Sequence, residues 1–549
     1  MCVSSWKMIS RASLLAALLG GAASAQNPIE VERLDALDPL EVSLTTRGLD
    51  ERQWAGTGRD MAEAVLTRLP GTGDGGYASE ALGETARLIL LSGGQPPAGG
   101  RGDARLAELR VDRLLAAGGA YDAFDLLERT PNVNRRPELA RWHAELGFAT
   151  GESERACQTA NALIENRDAP DWLRRRAFCL ALEGQGAAAE LTAELARAHS
   201  EDDDFDARLF AYTLATPVAD TVGPADSGLD LAMARALLDQ EADMPPIADT
   251  APAWLIALGH RPPYETPYIT DTAAALEAAL ELTGRERHHA LEDVLAHGED
   301  REVAALALGH LLADTSSAER FIHVARHHGS EVETLPVNEA TLSHGYDIAL
   351  ASMIVGDLRA AARWRNALLD GPPRRPTPSN LAGQPIVEMA DGRLAYADGT
   401  PVEAVQPEWV PPSPQRMVTL DLSLAIARDA LSGGNFDAVF AAWLESQGEA
   451  ALGEQLALAE LGAGQPNTSR MAVLGRETVA AAPEWPVMEM AMRSGARAEM
   501  ALLAVSLLNR PETSADPVVF SRSIAALDAA GLRDNALALV LERVITRSR

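Results

Sequence analysis

The sequence predicts an all-α fold, built as a superhelical array of helix-turn-helix units. Apolar residues recur at three- and four-residue spacing through most of the chain, the period of an amphipathic helix. Alternating, strand-like runs are rare. In addition, Gly118, Gly151 and Gly184 lie 33 residues apart, the spacing of a repeated hairpin. Because a single hairpin buries its apolar face only against its neighbours, these observations together predict an array.

Composition limits the classes of function. The chain has 549 residues, of which 47% are hydrophobic and 23% charged, as expected of a globular protein. The net charge of −31 argues against a nucleic-acid partner, because phosphate binding needs clustered Arg and Lys. Lys7 is the sole lysine, which excludes both a P-loop phosphate site and Schiff-base chemistry.

Residues 1–25 have the pattern of a secretory signal peptide. Lys7 and Arg11 precede an apolar run over residues 12–23, and Ala23-Ser24-Ala25 matches the cleavage motif. The run is too short to span a bilayer, which takes about 20 residues. We therefore expect export to the periplasm with cleavage after Ala25 and no membrane span. The alternative is a buried N-terminal helix.

The spacing of apolar residues predicts six helices in the N-terminal half, at 102–117, 120–130, 137–149, 152–166, 171–183 and 186–199. A Gly at a helix end precedes an Ala by five positions at Gly118/Ala123, Gly151/Ala156, Gly184/Ala189, Gly356/Ala361, Gly433/Ala438 and Gly531/Ala536. The Gly permits a left-handed turn. We expect the small Ala to lie where the returning helix approaches its neighbour closely.

The turn segments Gly118-Gly119-Ala120-Tyr121-Asp122-Ala123, Gly356-Asp357-Leu358-Arg359-Ala360-Ala361 and Gly433-Gly434-Asn435-Phe436-Asp437-Ala438 resemble the turn of the tetratricopeptide repeat. The match is clearest over residues 104–199. The early Trp and the Pro between units of that family are mostly missing, so the repeats are degenerate. The chain also resembles uncharacterised secreted helical-repeat proteins of alphaproteobacteria. The resemblance implies a scaffold whose concave face takes peptides or proteins, and it adds no enzymatic activity.

Two cysteines remain after removal of residues 1–25, namely Cys157 and Cys179. Each lies 11 residues from Asp168, the centre of the connection between two predicted helices. In an antiparallel helix pair these positions face each other at one height. We therefore expect a disulfide, which persists in an oxidising compartment. The alternative is two buried free thiols.

A proline-rich segment divides the helical pattern. Residues 372–414 contain ten of the chain's 32 prolines. We expect an N-terminal repeat array over 26–369, a linker or insert over 370–418 and a C-terminal array over 419–549, with its last hairpin at 516–546. Within the insert, Asp391-Gly392 predicts a β-hairpin between Ile386–Met389 and Arg393–Ala397. The alternative there is an extended linker.

Motifs that would carry chemistry do not stand out. Residues 71–76 fit G-x-G-x-x-G, but a helix precedes them, whereas a dinucleotide site needs a strand, so we expect a helix connection. His323 and His327 have metal-ligand spacing on one helix, without a His-Glu-x-x-His motif. We interpret them and the neighbouring histidines (His288, His289, His297, His310 and His328) as a polar helix face. We expect no cofactor, no metal and no catalytic residue.

These observations favour a periplasmic, non-enzymatic scaffold in cell-envelope assembly. Its partner would be a periplasmic or outer-membrane protein or peptide. Candidate groove residues on first helices are Arg110, Arg113, Arg141, His143, Arg174 and Arg176. Arginine there could contact a partner's carboxylates or pair with neighbouring acids. The alternative function is an enzyme acting on peptidoglycan or polysaccharide through an unrecognised catalytic domain.

Overall fold

A computed structural model describes residues 37–214, 223–237, 247–259, 269, 271–371, 384–388, 394–398, 410–464, 473 and 482–549. Most of these residues are helical, so the predicted all-α class is confirmed. Among them, no helix is both long and apolar enough to cross a membrane. The predicted signal peptide and its cleavage site after Ala25 lie outside the described residues.

The helices before the proline-rich segment are α1 Arg59–Thr67, α2 Glu80–Leu91, α3 Ala104–Ala116, α4 Ala120–Glu128, α5 Pro137–Thr150, α6 Ser153–Ala162, α7 Pro170–Leu182, α8 Gly186–Arg197, α9 Asp203–Thr213, α10 Gly228–Leu237, α11 Ala253–Gly259, α12 Thr272–Glu281, α13 Gly284–His297, α14 Arg301–Ala313, α15 Ala318–His327, α16 Gly329–Val332, α17 Gly345–Ile354 and α18 Leu358–Asp370. Short 3-10 turns precede α5 at Val133–Arg135 and α17 at Thr341–His344. The six helices predicted between residues 102 and 199 correspond to α3 through α8.

The later elements are β1 Ile386–Glu388, β2 Leu394–Tyr396, α19 Pro414–Ala427, α20 Gly434–Gln447, α21 Leu452–Glu460, α22 Glu484–Ser494, α23 Arg497–Leu508, α24 Pro511–Ser514, α25 Pro517–Ala530 and α26 Arg533–Ser548. A 3-10 turn at Gly448–Ala451 joins α20 to α21. The predicted last hairpin is confirmed as α25 and α26.

The glycine turns have the predicted conformation. Gly118, Gly151, Gly184, Gly356, Gly433 and Gly531, all within the described residues, have φ between 75° and 102°. The paired alanines are fully buried at Ala123, Ala156, Ala189, Ala361 and Ala536. Ala438 is exposed instead, because α20 buries Phe436 and Phe440 and so turns a different face inward.

The two cysteines lie at disulfide distance. Cys157 on α6 and Cys179 on α7 have an S–S separation of 2.02 Å and a Cα–Cα separation of 5.5 Å. Both residues are buried among the apolar side chains of these helices. The bridge therefore joins one hairpin to the next at the height that the sequence predicts.

Within the proline-rich segment, β1 and β2 form the predicted antiparallel pair, with Val387 opposite Ala395. The Asp391-Gly392 turn lies outside the described residues. The next helix begins at Pro414, five residues before the predicted Thr419. Proline suits the first helical position, where no N–H donor is needed, and the Ser413 hydroxyl accepts the Arg416 N–H.

The first helices pack against the last ones. α1 contacts α23, and α2 contacts both α23 and α26. The Ala498 N–H at the start of α23 donates to the carbonyl of Gln53 at 2.9 Å. Buried apolar residues form one continuous core from Leu40 to Ile545, and Asp38–Arg549 is one compact unit. This packing creates the pocket described next.

Candidate functional site

A pocket of about 590 Å³ opens where α2, α15 and α23–α26 meet. Its apolar lining includes Leu82, Ile322, Leu508, Phe520 and Leu539, and its charged lining consists of Glu80, Glu319, Glu542 and Arg543. The wall therefore combines residues near both ends of the sequence. It presents three carboxylates and one guanidinium to whatever enters.

Glu542 on α26 is the buried carboxylate of this pocket, with 7% of its side chain exposed. One oxygen, Oε1, accepts the Ala81 N–H of α2 at 3.1 Å and the Nη2–H of Arg326 at 3.2 Å. Burial raises the pKa of Glu542, and the contacts with Ser79 and Arg326 only partly oppose this. The carboxylate is thus held in place at the first turn of α2, where the helix dipole favours negative charge.

Arg326 on α15 connects three carboxylates around the pocket. Its Nε lies 3.5 Å from Glu80 Oε2, its Nη1 lies 2.5 Å from Glu84 Oε1, and its Nη2 lies 3.2 Å from Glu542 Oε1. Burial alone would lower the pKa of Arg326, but these acids outweigh it and raise the pKa. One turn earlier on α15, His323 Nδ1 is 2.6 Å from Glu80, whose hydrogen bond raises the pKa of His323. The pocket wall is therefore a network of alternating charges.

A second cluster lies at the C-terminal end of α15. There, His327 and His328 lie beside Glu292 of α13. Their donor atoms lie within 4.8 Å of one another. His288 Nε2 is 3.3 Å from Glu292 Oε1, and His289 Nδ1 is 3.2 Å from Glu292 Oε2. Two imidazoles and one carboxylate are a donor set that transition metals take, so these residues could hold a cation.

The electrostatics of this second cluster follow from its composition. Burial raises the pKa of Glu292, but the nearby imidazoles of His288 and His328 outweigh burial and hold the pKa well below its usual range. Burial and the neighbouring His328 lower the pKa of His327. The cluster therefore favours an ionised carboxylate beside a neutral imidazole.

Two of the predicted groove residues, Arg110 and Arg113, are internal. Arg110 is 5% exposed and donates to the carbonyl oxygens of Leu90, Pro39, Val42 and Ser92 at 2.6 to 3.1 Å. Burial lowers the pKa of Arg110 to about 10. Arg113 donates to the carbonyl of Leu66 at 3.0 Å. The expectation that they line a groove is therefore wrong, because both guanidinium groups donate to backbone carbonyls inside the fold.

His143 is also buried. Its Nε2 lies 2.6 Å from Glu128 Oε1, and its Nδ1 lies 2.8 Å from the Thr159 hydroxyl oxygen. Burial lowers its pKa, although Glu128 opposes the change. These partners lie on the helices directly before and after α5. His143 therefore links three consecutive helices and offers no donor to a ligand.

The remaining predicted residues lie nearer the surface. Arg174 donates to the Ser200 carbonyl at 2.8 Å, and Arg176 donates to the Arg167 carbonyl. Among the six predicted groove side chains, all of which are described, Arg141 is the exposed one, with its guanidinium carbon 4.8 Å from the centre of the Trp142 ring. The structure does not bring these residues together with the pocket.

Nothing in the sequence indicates the pocket or its charged wall. Glu80 and Glu542 are two of 79 acidic residues, and no local motif marks them. The histidine cluster did have a signal, because His323 and His327 share one helix face, but Glu292 comes from a different helix. Residues 71–76 connect α1 to α2, as expected.

No model of a known protein family, no curated protein and no solved structure matches this chain.

Proposed function

We propose that this chain is an exported, non-enzymatic interaction protein of the cell envelope. Its pocket would bind an apolar, basic segment of a periplasmic or outer-membrane protein. The observation that carries the proposal is the pocket between α2, α15 and α23–α26, with its apolar lining and its excess of carboxylates.

The size and lining of the pocket suit a peptide side chain. Binding cavities are typically a few hundred Å³ or larger, mostly apolar, with a small number of placed polar groups. A cavity of about 590 Å³ fits one or two large side chains of a bound segment. Leu82, Ile322 and Phe520 would contact the apolar part of such a segment.

The charges favour a cationic segment. Glu319 is exposed at the pocket and is the carboxylate that a cationic segment would meet first. Glu80 is partly exposed there, although His323 and Arg326 already contact it. The lining cation, Arg543, already pairs with the fully buried Glu454 at 2.8 Å. The net charge of −31 adds long-range attraction for a basic partner, which speeds association at low salt.

Export and the repeat architecture are part of the same proposal. The signal-peptide pattern of residues 1–25 supports a periplasmic location, and a disulfide suits an oxidising compartment. Left-handed glycine turns followed by buried alanines support a tetratricopeptide-like array. Such arrays commonly present extended binding surfaces.

One observation favours a second candidate, an enzyme acting on peptidoglycan or polysaccharide. Glu542 lines the pocket, and burial raises its pKa, as in carboxyl groups that act as general acids. Glu80 and Glu319 would be the partner carboxylates. A zymogram on peptidoglycan distinguishes the two functions, because clearing around the band would reject a purely binding role.

A peptide array tests the leading proposal directly. The chain from residue 26 to 549 is probed against tiled sequences of periplasmic and outer-membrane proteins. We expect the bound peptides to share a basic residue next to a large apolar one. Absence of binding, or binding without that shared pattern, would reject the pocket as a peptide site.

A further inference from the structure

We propose that Glu292, His327 and His328 bind a divalent transition-metal cation, with Zn²⁺ as the first choice. Neutral imidazoles and a carboxylate form a three-ligand set of the kind that zinc accepts, with a fourth position left for water. Ca²⁺ and Mg²⁺ prefer all-oxygen sites and fit poorly here.

The geometry of the cluster is close to that of a bound site. The donor atoms of these three residues lie within 4.8 Å of one another. A zinc ion with bonds of about 2.1 Å holds neighbouring donor atoms about 3.4 Å apart. His327 is exposed, so its ring can turn inward without moving the core. The separation of 3.6 Å between Glu292 Oε1 and His328 Nε2 is already close to this spacing.

His328 supplies independent evidence for a ligand. Its side chain is only 10% exposed, and its Nε2 lies 3.6 Å from Glu292 Oε1, outside hydrogen-bonding distance. A buried polar nitrogen normally has a partner. The backbone holds His328 in place, since its N–H donates to the Val324 carbonyl and its carbonyl accepts the Glu331 N–H. A cation between His328 and Glu292 would satisfy this nitrogen.

Two further imidazoles orient the carboxylate. His288 Nε2 approaches Glu292 Oε1 at 3.3 Å, and His289 Nδ1 approaches Oε2 at 3.2 Å. On α13, His288 lies four positions before Glu292 and His289 three positions before it, so each imidazole lies beside the carboxylate on the helix surface. Groups that hold a metal ligand in this way commonly change metal affinity by about tenfold or more. His288 and His289 are thus positioning residues of the proposed site.

A bound cation would fix the end of α15 against α13. The turn of α15 before His327 carries His323 and Arg326, which contact Glu80 at the pocket wall. The cation would therefore steady one wall of the pocket. The metal site does not depend on the pocket's being a peptide site.

Titration of the metal-free mature chain with Zn²⁺ alone tests the site. We expect one zinc per chain by calorimetry and by elemental analysis after desalting, with a rise in melting temperature as zinc is added. His327→Ala, at the surface, should weaken binding at least tenfold while leaving the far-UV circular dichroism unchanged. Glu292→Gln should have the same effect.

Two controls make the result decisive. His199→Ala removes an exposed histidine outside the cluster and should leave zinc affinity unchanged. Mg²⁺ in place of Zn²⁺ should produce no saturable binding. The proposal is wrong if His327→Ala binds zinc as the unmodified chain does, if His199→Ala weakens binding equally, or if Mg²⁺ binds as tightly as Zn²⁺.

Discussion

Arg326 and Glu542, 216 residues apart in the sequence, form an ion pair of 3.2 Å. The pair joins α15 to the last helix, α26. The same carboxylate accepts the Ala81 N–H at the start of α2. Three elements from distant parts of the chain thus meet at one carboxylate beside the pocket.

Removing the cation from this pair should destabilise the fold strongly. Arg326→Met leaves Glu542 buried without its cationic partner, which we expect to lower the free energy of unfolding by about 3 kcal/mol. Because burial raises the pKa of Glu542, acidification protonates the unpaired carboxyl and relieves the cost. The loss should therefore be smaller at about pH 5 than at about pH 8. Urea unfolding followed by circular dichroism at both pH values measures it.

Arg320→Met is the matched control for this prediction, because Arg320 is exposed on the same helix. We expect it to cost less than about 0.5 kcal/mol at either pH. Equal losses for the two variants would mean that the contact with Glu542 contributes nothing.

Arg110 should be essential for stability rather than for binding. Its guanidinium donates to four backbone carbonyls inside the fold. Arg110→Met removes this donor from all four, although the Ser92 carbonyl keeps the side-chain amide of Gln53 as a donor. We expect a loss of about 3 kcal/mol or more. Arg105→Met, on the exposed face of the same helix, should cost less than about 1 kcal/mol. Denaturant midpoints of the two variants test this, and similar midpoints would contradict it.

The disulfide should stabilise the hairpin interface between α6 and α7. Its sequence separation is 22 residues, and closing a loop of that size is worth roughly 3 kcal/mol in the chain-entropy model. Replacing both Cys157 and Cys179 by Ala should lower the melting temperature with little change in helical content. A reductant should lower the melting temperature of the unmodified chain and not that of the double variant. Two reactive thiols in the unreduced, denatured chain of residues 26–549 would contradict the bridge.

His344 should make the protein less stable in mild acid. Burial, followed by the neighbouring His310, lowers the pKa of His344 from 6.5 to about 4, and Asp314 opposes the change. The two imidazole rings are 4.6 Å apart. Between pH 6.5 and about 4 the unfolded chain therefore binds a proton that the folded chain does not. The free energy of unfolding should fall by about 3 kcal/mol at most across this window from His344 alone.

The variant His344→Asn should remove this part of the pH dependence. The measured quantity is the slope of the unfolding free energy against pH. The substitution also removes packing of the His344 ring beside Gly309, but that loss is the same at every pH and does not change the slope. His199→Asn, at an exposed position, should keep the slope of the unmodified chain. An unchanged slope in His344→Asn would contradict the prediction.

Local features of this fold were predictable from the sequence. The helix period gave α3 through α8 within a few residues, and the glycine spacing predicted the left-handed turns. The equal distances of Cys157 and Cys179 from Asp168 predicted their contact. Each of these depends on residues close together in the chain, where spacing largely determines geometry.

Long-range packing was not predictable in the same way. An apolar helix face shows that something covers it, but not which distant helix does so. Arg68 and Glu484, 416 residues apart, pair at 3.1 Å, and nothing near either residue marks the other. Likewise, nothing in the helical spacing distinguishes Arg110 from an exposed residue. Its burial results from contacts with residues 39–42 and 90–92. The pocket arises from such contacts and was missed for this reason.

The most direct test of the proposed function measures the affinity of the tightest array peptide for pocket variants. Ala515 is exposed and lines the pocket, so Ala515→Trp should fill it, whereas Ala162→Trp places the same side chain on an exposed site outside it. Glu319→Arg reverses one pocket charge, and Glu281→Arg reverses an exposed charge elsewhere. We predict that Ala515→Trp and Glu319→Arg weaken binding at least tenfold by calorimetry, while both controls bind as the unmodified chain does. Unchanged affinity in Ala515→Trp would contradict the claim that the pocket formed by the first and last helices is the binding site.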